Sequence, residues 1–162
     1  MTSLLNRLIA KAARHLYLRR HQKAWGAEPQ LAVSVSNLCV ELEGRQVRLR
    51  MYHGQSDKPM VIYAHGGGFV IGSLETHDRF CRALSVESGC SLVSIDYRLA
   101  PEYTFPAAHD DCLEATEWVI ENLENLAPNN GLFILAGDSA GGNIAIASTL
   151  ALQHRHGIAG CL

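Results

Sequence analysis

Apolar and polar residues alternate from Leu31 to Tyr52, interrupted by "EGR" at Glu43–Arg45, so "LAVSVSNLCVEL" and "QVRLRMY" are predicted to form an antiparallel hairpin. The polar, breaker-rich "HGQSDKP" then leads into "MVIYAH", a short continuous apolar run. Two more such runs follow, "SLVSIDY" at Ser91–Tyr97 and "LFILAG" at Leu132–Gly137. Strands apolar on both faces belong in a sheet covered on both sides, which is usually parallel.

Between these runs the period changes to that of a helix. Thr76 to Glu87 carries Phe80, Cys81, Leu84 and Val86 among charges. His109 to Leu126 places Cys112, Thr116, Val119, Leu123 and Leu126 on one stripe, with Asp110, Asp111 and Glu114 near its start and Pro128 after its end. Asn143 to His154 is again helical in pattern. A hairpin followed by strand, helix, strand, helix, strand, helix predicts an α/β sheet with right-handed crossovers. "GIAGCL" closes the chain where another strand is due to begin.

The first 23 residues differ from the rest: they hold Arg7, Lys11, Arg14, Arg19, Arg20 and Lys23 and no acid. Leu5, Leu8, Ile9, Ala12 and Leu16 fall on one face of a helix. Such a segment suits an organelle transit peptide, a membrane-surface helix or a helix packed on the body of the protein, the last being the simplest.

At 162 residues, 48% hydrophobic and 19% charged, the chain has the size and composition of one globular domain. A net charge of −2 gives no basis for nucleic-acid binding, and no apolar run is long enough to span a bilayer. Cys39, Cys81, Cys90, Cys112 and Cys161 include no CxxC pair and no metal-ligand spacing, so reduced, mostly buried thiols and a cytoplasmic protein are expected, with no metal and no cofactor.

Chemistry concentrates at Gly137-Asp138-Ser139-Ala140-Gly141, a G-x-S-x-G between strand and helix. This elbow holds the serine in a strained conformation with its hydroxyl above the sheet, and side chains two residues before or after would collide. The helix N-terminus behind it offers free N–H groups to a developing oxyanion. Glycine-serine turns also bind phosphate, but no G-x-x-x-x-G-K-[ST] is present, and Gly66, Gly68 and Gly72 are spaced one residue too far apart for a dinucleotide fingerprint. A second motif, "HGGGFVIGS" at His65–Ser73, follows the strand "VIYA", where a glycine run turns backbone N–H groups toward a ligand oxygen.

With "HGGGF" at 65–69, "DYRLAPE" at 96–102, "FPAAHDD" at 105–111 and "GDSAGGN" at 137–143, the sequence resembles the hormone-sensitive-lipase-like α/β-hydrolases, which include acetyl esterases and other carboxylesterases. The resemblance is strong over roughly residues 60 to 162 and loose before them. It implies residues 1–30 as a helical cap segment and 31–162 as the N-terminal part of the hydrolase core. It also implies Ser139 as nucleophile, Gly67, Gly68 and Ala140 as oxyanion-hole donors, His65 and Gly66 as loop support, and a short-chain ester as substrate.

Other residues receive structural readings. His65 precedes the serine, whereas this fold orders its triad nucleophile, acid, histidine. Asp138 is expected to point away from the serine, Arg98 and Glu102 to pair locally before Pro101, and His109, Asp110 and Asp111 to form an acidic helix start. Trp25 and Trp118 are read as packing residues.

The 23 residues after Ser139 contain no Asp or Glu. Were His154 on the helix leaving the nucleophile, it would stand roughly 22 Å away. The triad acid and histidine are therefore expected to be absent from this chain, which would be a poor esterase alone, with its last strands and helices missing. The strand ending at Gly137 would then be an exposed edge open to self-association. A non-catalytic binding or regulatory remnant of an esterase is the alternative.

Overall fold

The computed structural model describes residues 3–24, 33–55, 57–126 and 131–162. Its elements are α1 (Leu4–Ala24), β1 (Ser34–Leu42), β2 (Arg45–His53), β3 (Met60–Ala64), α2 (Leu74–Ser88), β4 (Leu92–Asp96), α3 (Ala107–Glu121), α4 (Leu123–Leu126), β5 (Phe133–Gly137), α5 (Ala140–Ala151) and β6 (Ile158–Cys161). One six-stranded sheet runs β1-β2-β4-β3-β5-β6. The hairpin is antiparallel and β2 pairs antiparallel with β4, while β4, β3, β5 and β6 are mutually parallel.

Every residue of β3 is buried, because the two faces of the sheet are covered by different helices. Met60, Ile62 and Ala64 join Val93, Ile95, Phe133 and Leu135 against Cys112, Ala115 and Val119 of α3 and Ile144 and Ala145 of α5. Val61 and Tyr63 point the other way, with Tyr52, Leu92 and Cys81 of α2. This is the two-sided burial that continuous apolar strands require.

Several expectations need correction. The stripe from His109 to Leu126 is two helices, since the Asn122 side chain donates to the Trp118 carbonyl and its backbone closes α3. The last helix ends at Ala151, so His154 and His156 lie in the turn beyond it, both exposed. The strand ending at Gly137 is not an edge: Ile158–Cys161 pairs beside it, which makes β6 the edge. Cys81, Cys90 and Cys112 are buried and Cys39 and Cys161 exposed, all five unpaired.

The N-terminal helix packs on α2, but not through its apolar stripe. Leu5, Leu8, Ile9 and Leu16 are exposed, and among the residues of the helix whose side chains are described Ala10 is the buried one. Arg14, on the same side as Ala10, fixes the contact. Its guanidinium donates to the Val70 carbonyl (2.7 Å), the Ala100 carbonyl (2.6 Å) and both oxygens of Glu102 (3.1 and 2.7 Å). A guanidinium leaves water cheaply only where its donors find acceptors, and here the two loops below accept four of its hydrogen bonds while the side chain stays 25% exposed. Among the described residues no helix is long and apolar enough to cross a membrane.

Candidate active site

β5 ends at Gly137 and α5 starts at Ala140, leaving two residues for the reversal. Ser139 takes up the bend with φ 53° and ψ −115°, a sparsely populated positive-φ conformation that costs a non-glycine residue of order 1–3 kcal/mol. The surrounding glycines permit it by close approach. A Cβ on Gly137 would run into the backbone of Gly141, and one on Gly141 into the carbonyl of Ala64. Ser139 stays exposed while Ala140 behind it is buried.

The neighbouring strand β3 ends level with it, Ala64 paired with Gly137, so the loop at His65–Ser73 leaves the sheet beside the serine. Gly67, Gly68 and Phe69 all have positive φ (128°, 60° and 61°). The Gly67 carbonyl turns inward and accepts from the N–H groups of Val70 (3.1 Å) and Ile71 (3.0 Å). Among the described residues the N–H groups of Gly67, Gly68 and Ala140 donate no hydrogen bond. Free amides on two adjoining loops, at the positive end of α5, form a setting that favours negative charge.

His65 is completely buried beneath the loop, stacked on Tyr97 (4.2 Å between centroids) and His77 (5.3 Å). Its Nδ1 lies 2.8 Å from the Gly66 carbonyl and its own carbonyl accepts from the Tyr97 hydroxyl at 2.6 Å. Burial lowers its pKa to about 4, so the ring is neutral near pH 7. A neutral ring donating from Nδ1 to a carbonyl props the loop.

Asp138 does turn from the serine, and its carboxylate has a destination. It accepts from the Gly66 N–H (2.7 Å) and the Tyr63 hydroxyl (2.5 Å), with His77 Nε2 3.6 Å away. These three groups, His77 foremost, hold its pKa well below the usual carboxylate range.

Arg98 and Glu102 do not pair with each other. Arg98 binds the buried Asp111, which also holds Arg45, and Glu102 goes to Arg14. Asp111 thus closes an ion-pair network, not a solvated helix start. His109 reaches across to Asn143 in the first turn of α5 (3.0 Å) and lies beside Phe69 (5.5 Å), bringing an unanticipated imidazole to the rim of the site. Among the described residues no group of three or more His, Cys, Asp or Glu side chains is placed to hold a metal ion. Trp118 packs against the core at partial burial, and Trp25 lies outside the described residues.

A cavity of about 510 Å³ opens under α1, between Arg14, Leu18, Ser73, Tyr97, Leu99 and Tyr103. Ser139 is not part of its wall. No signal short of the fold itself placed Tyr63, His77, Arg14 or His109 at this end of the sheet, because each arrives from a different element.

Residues 61–162 match the family model described as the alpha/beta hydrolase fold. The chain belongs to this family. The relatives it matches agree with the hormone-sensitive-lipase-like type. It is similar to esterase LipI of Mycobacterium tuberculosis (50% identity, covering 56% of this chain and 28% of that protein) and to ethyl acetate hydrolase of Pseudomonas putida (38%, covering 68% and 37%). Among solved structures it is similar to an esterase of Pyrobaculum calidifontis, with TM-score 0.80 and 40% identity, covering 90% of this chain and 48% of that one. The match thus spans about a third of those two curated relatives and about half of the solved esterase. The family supplies the α/β-hydrolase core, and the relatives matched over it are esterases.

Proposed function

We propose that Ser139 is the nucleophile of a carboxylic ester hydrolase, with Gly67, Gly68 and Ala140 as the amides that receive the oxyanion. The observation that carries this reading is the strained, exposed Ser139 on a two-residue bend beside three undonated N–H groups. In the reaction Oγ attacks the acyl carbonyl, the carbonyl oxygen becomes an oxyanion facing those amides, and the alcohol leaves with a proton. Water then releases the acid by the same route.

The substrate is read as a short-chain acyl ester by the resemblance. The cavity under α1 lies beside the glycine loop and does not reach Ser139, so it adds no acyl selectivity of its own. Residues 1–30 are read as a cap over the core at residues 31–162; of that segment residues 3–24 are described, with α1 held by Arg14, and the rest lies outside the described residues. Unpaired cysteines suit a reducing cytoplasmic setting.

The proton acceptor comes from outside these residues: no acid follows Ser139, and His154 and His156 are exposed past the far end of α5. This chain by itself is then a slow catalyst, retaining the roughly 10³ to 10⁴ over water that an oxyanion hole and binding supply in subtilisin. The β6 edge, with Leu162 exposed just after it, is read as a surface for self-association, which sedimentation velocity would reveal as a concentration-dependent dimer. Turnover of 4-nitrophenyl esters from acetyl to dodecanoyl tests the catalytic reading. Slow hydrolysis favouring the acetyl ester is expected; enzyme-like turnover by these 162 residues, or preference for the longest ester, overturns it.

A further inference from the structure

We propose that Asp138 is a positioning residue: its carboxylate is the strut that locks the glycine loop to the serine turn and sets the spacing between the two halves of the oxyanion hole. The inference rests on the ester-hydrolase reading of Ser139 and assigns a task to a residue that touches neither substrate nor the reacting atoms.

Geometry carries it. Asp138 sits between Gly137 and Ser139, on the same bend that supplies Ala140. Its Oδ1 accepts from the Gly66 N–H, the amide immediately before Gly67 and Gly68. One side chain therefore spans the two loops whose amides must converge on one oxygen. The same oxygen accepts from the hydroxyl of Tyr63, a residue of β3 that is only 2% exposed, so the carboxylate is anchored to the sheet. His77 of α2 closes the third side.

The identity of residue 66 supplies a second, independent observation. Unlike Gly67 and Gly68, Gly66 has no positive φ to explain it. A Cβ there would collide with the Asp138 carboxylate and its backbone carbonyl. Glycine at 66 is what lets the carboxylate reach the amide, so the motif's first glycine serves the strut and the next two serve the turn.

The charge matters as well as the shape. A carboxylate accepting charge-assisted bonds from an amide and a phenol is stiffer than a neutral acceptor. Its depressed pKa keeps it ionised through the neutral range. Without it the loop is still tethered at His65 by the Tyr97 hydroxyl, at Phe69 by the Ala100 N–H and at Val70 by Arg14, but among the described residues no other hydrogen bond ties Gly66 to the serine turn.

Amide hydrogen exchange on the full chain, with Asp138→Ala and Asp138→Asn, is the test. Exchange at Gly66, Val70 and Ile71 should rise at least about tenfold in Asp138→Ala, while β3 and β5 stay within about twofold. Asp138→Asn, which keeps an acceptor oxygen but not the charge, should recover only part of the protection. Phosphonylation of Ser139 by an alkyl fluorophosphonate should slow about 10- to 100-fold in Asp138→Ala, the scale of a misplaced catalytic geometry. Unchanged loop exchange in Asp138→Ala, or equal rises in the loop and both strands, would overturn the strut. Failure of wild-type Ser139 to react would instead sink the ester-hydrolase reading and leave the exchange result to decide the strut alone.

Discussion

Replacing Asp111 should destabilise the protein more than any other single carboxylate change on α3. Its side chain is fully buried and accepts from Arg45 Nε (2.6 Å), the Arg98 backbone N–H (2.8 Å) and Arg98 Nε (2.9 Å), with Arg98 NH2 2.8 Å away. Asp111→Ala removes all of these and leaves two guanidinium groups facing a vacated buried site. Breaking a buried pair from one side costs about 3–5 kcal/mol. The lower end applies here: Arg45 keeps Glu114 at 2.7 Å, and the Arg45 and Arg98 side chains are 19% and 30% exposed, so water solvates part of the orphaned charge. We expect about 3 kcal/mol for Asp111→Ala and about 2 kcal/mol for Asp111→Asn, which retains one acceptor for the Arg98 N–H. For a chain of this size that corresponds to a fall in Tm of about 6–12 °C for the alanine variant. Urea unfolding followed by far-UV circular dichroism reads the difference, with Asp110→Ala as control. Asp110 is exposed, and its loss should stay within about 0.5 kcal/mol. A cost below about 1 kcal/mol for Asp111→Ala, or equal costs at 110 and 111, would refute the ion-pair account.

Gly141→Ala should abolish folding or cost more than about 3 kcal/mol, because its methyl group meets the Ala64 backbone, which cannot yield; a variant melting normally would contradict the close approach. Arg14→Ala should release α1 and speed tryptic cleavage within residues 4–24 at least tenfold, leaving the core protected; unchanged cleavage would show that the clamp is not what holds the helix. Stability should fall with acid as His65 resists protonation. Its folded pKa, about 4, lies below the unfolded 6.5, so the unfolded chain binds the extra proton and roughly 3 kcal/mol is lost as pH falls from 6.5 to 4. Urea midpoints across that range for wild type and His65→Asn check this, and a pH slope that survives in His65→Asn would assign it to other groups.

How far the sequence reveals the molecule depends on the range of each interaction. Continuous apolar runs expose β3, β4 and β5 because a strand covered on both faces can be built from nothing else. The two glycine motifs expose the site because close backbone approach excludes other residues at Gly137 and Gly141. Periodicity fails for α1. It identifies Leu5, Leu8, Ile9 and Leu16 as one face, yet the inward side is set by the acceptors awaiting Arg14 at Val70, Ala100 and Glu102. The partners of Arg98 were equally hidden. A neighbour four residues away looked natural, but Asp111 lies on α3, buried, where it gathers two cations, while the partly buried Glu102 is taken by Arg14. The break at Asn122 escapes the apolar stripe because a side chain bonding its own helix leaves the hydrophobic period intact.

The central claim is that Ser139 is a nucleophile set against the free amides of two loops. Intact-mass measurement of the chain after exposure to an alkyl fluorophosphonate tests it most directly, at an alkaline pH where solvent hydroxide takes the proton. A single slow adduct that maps to Ser139 and vanishes in Ser139→Ala is expected; an adduct elsewhere, or none after exhaustive reaction, would contradict the account.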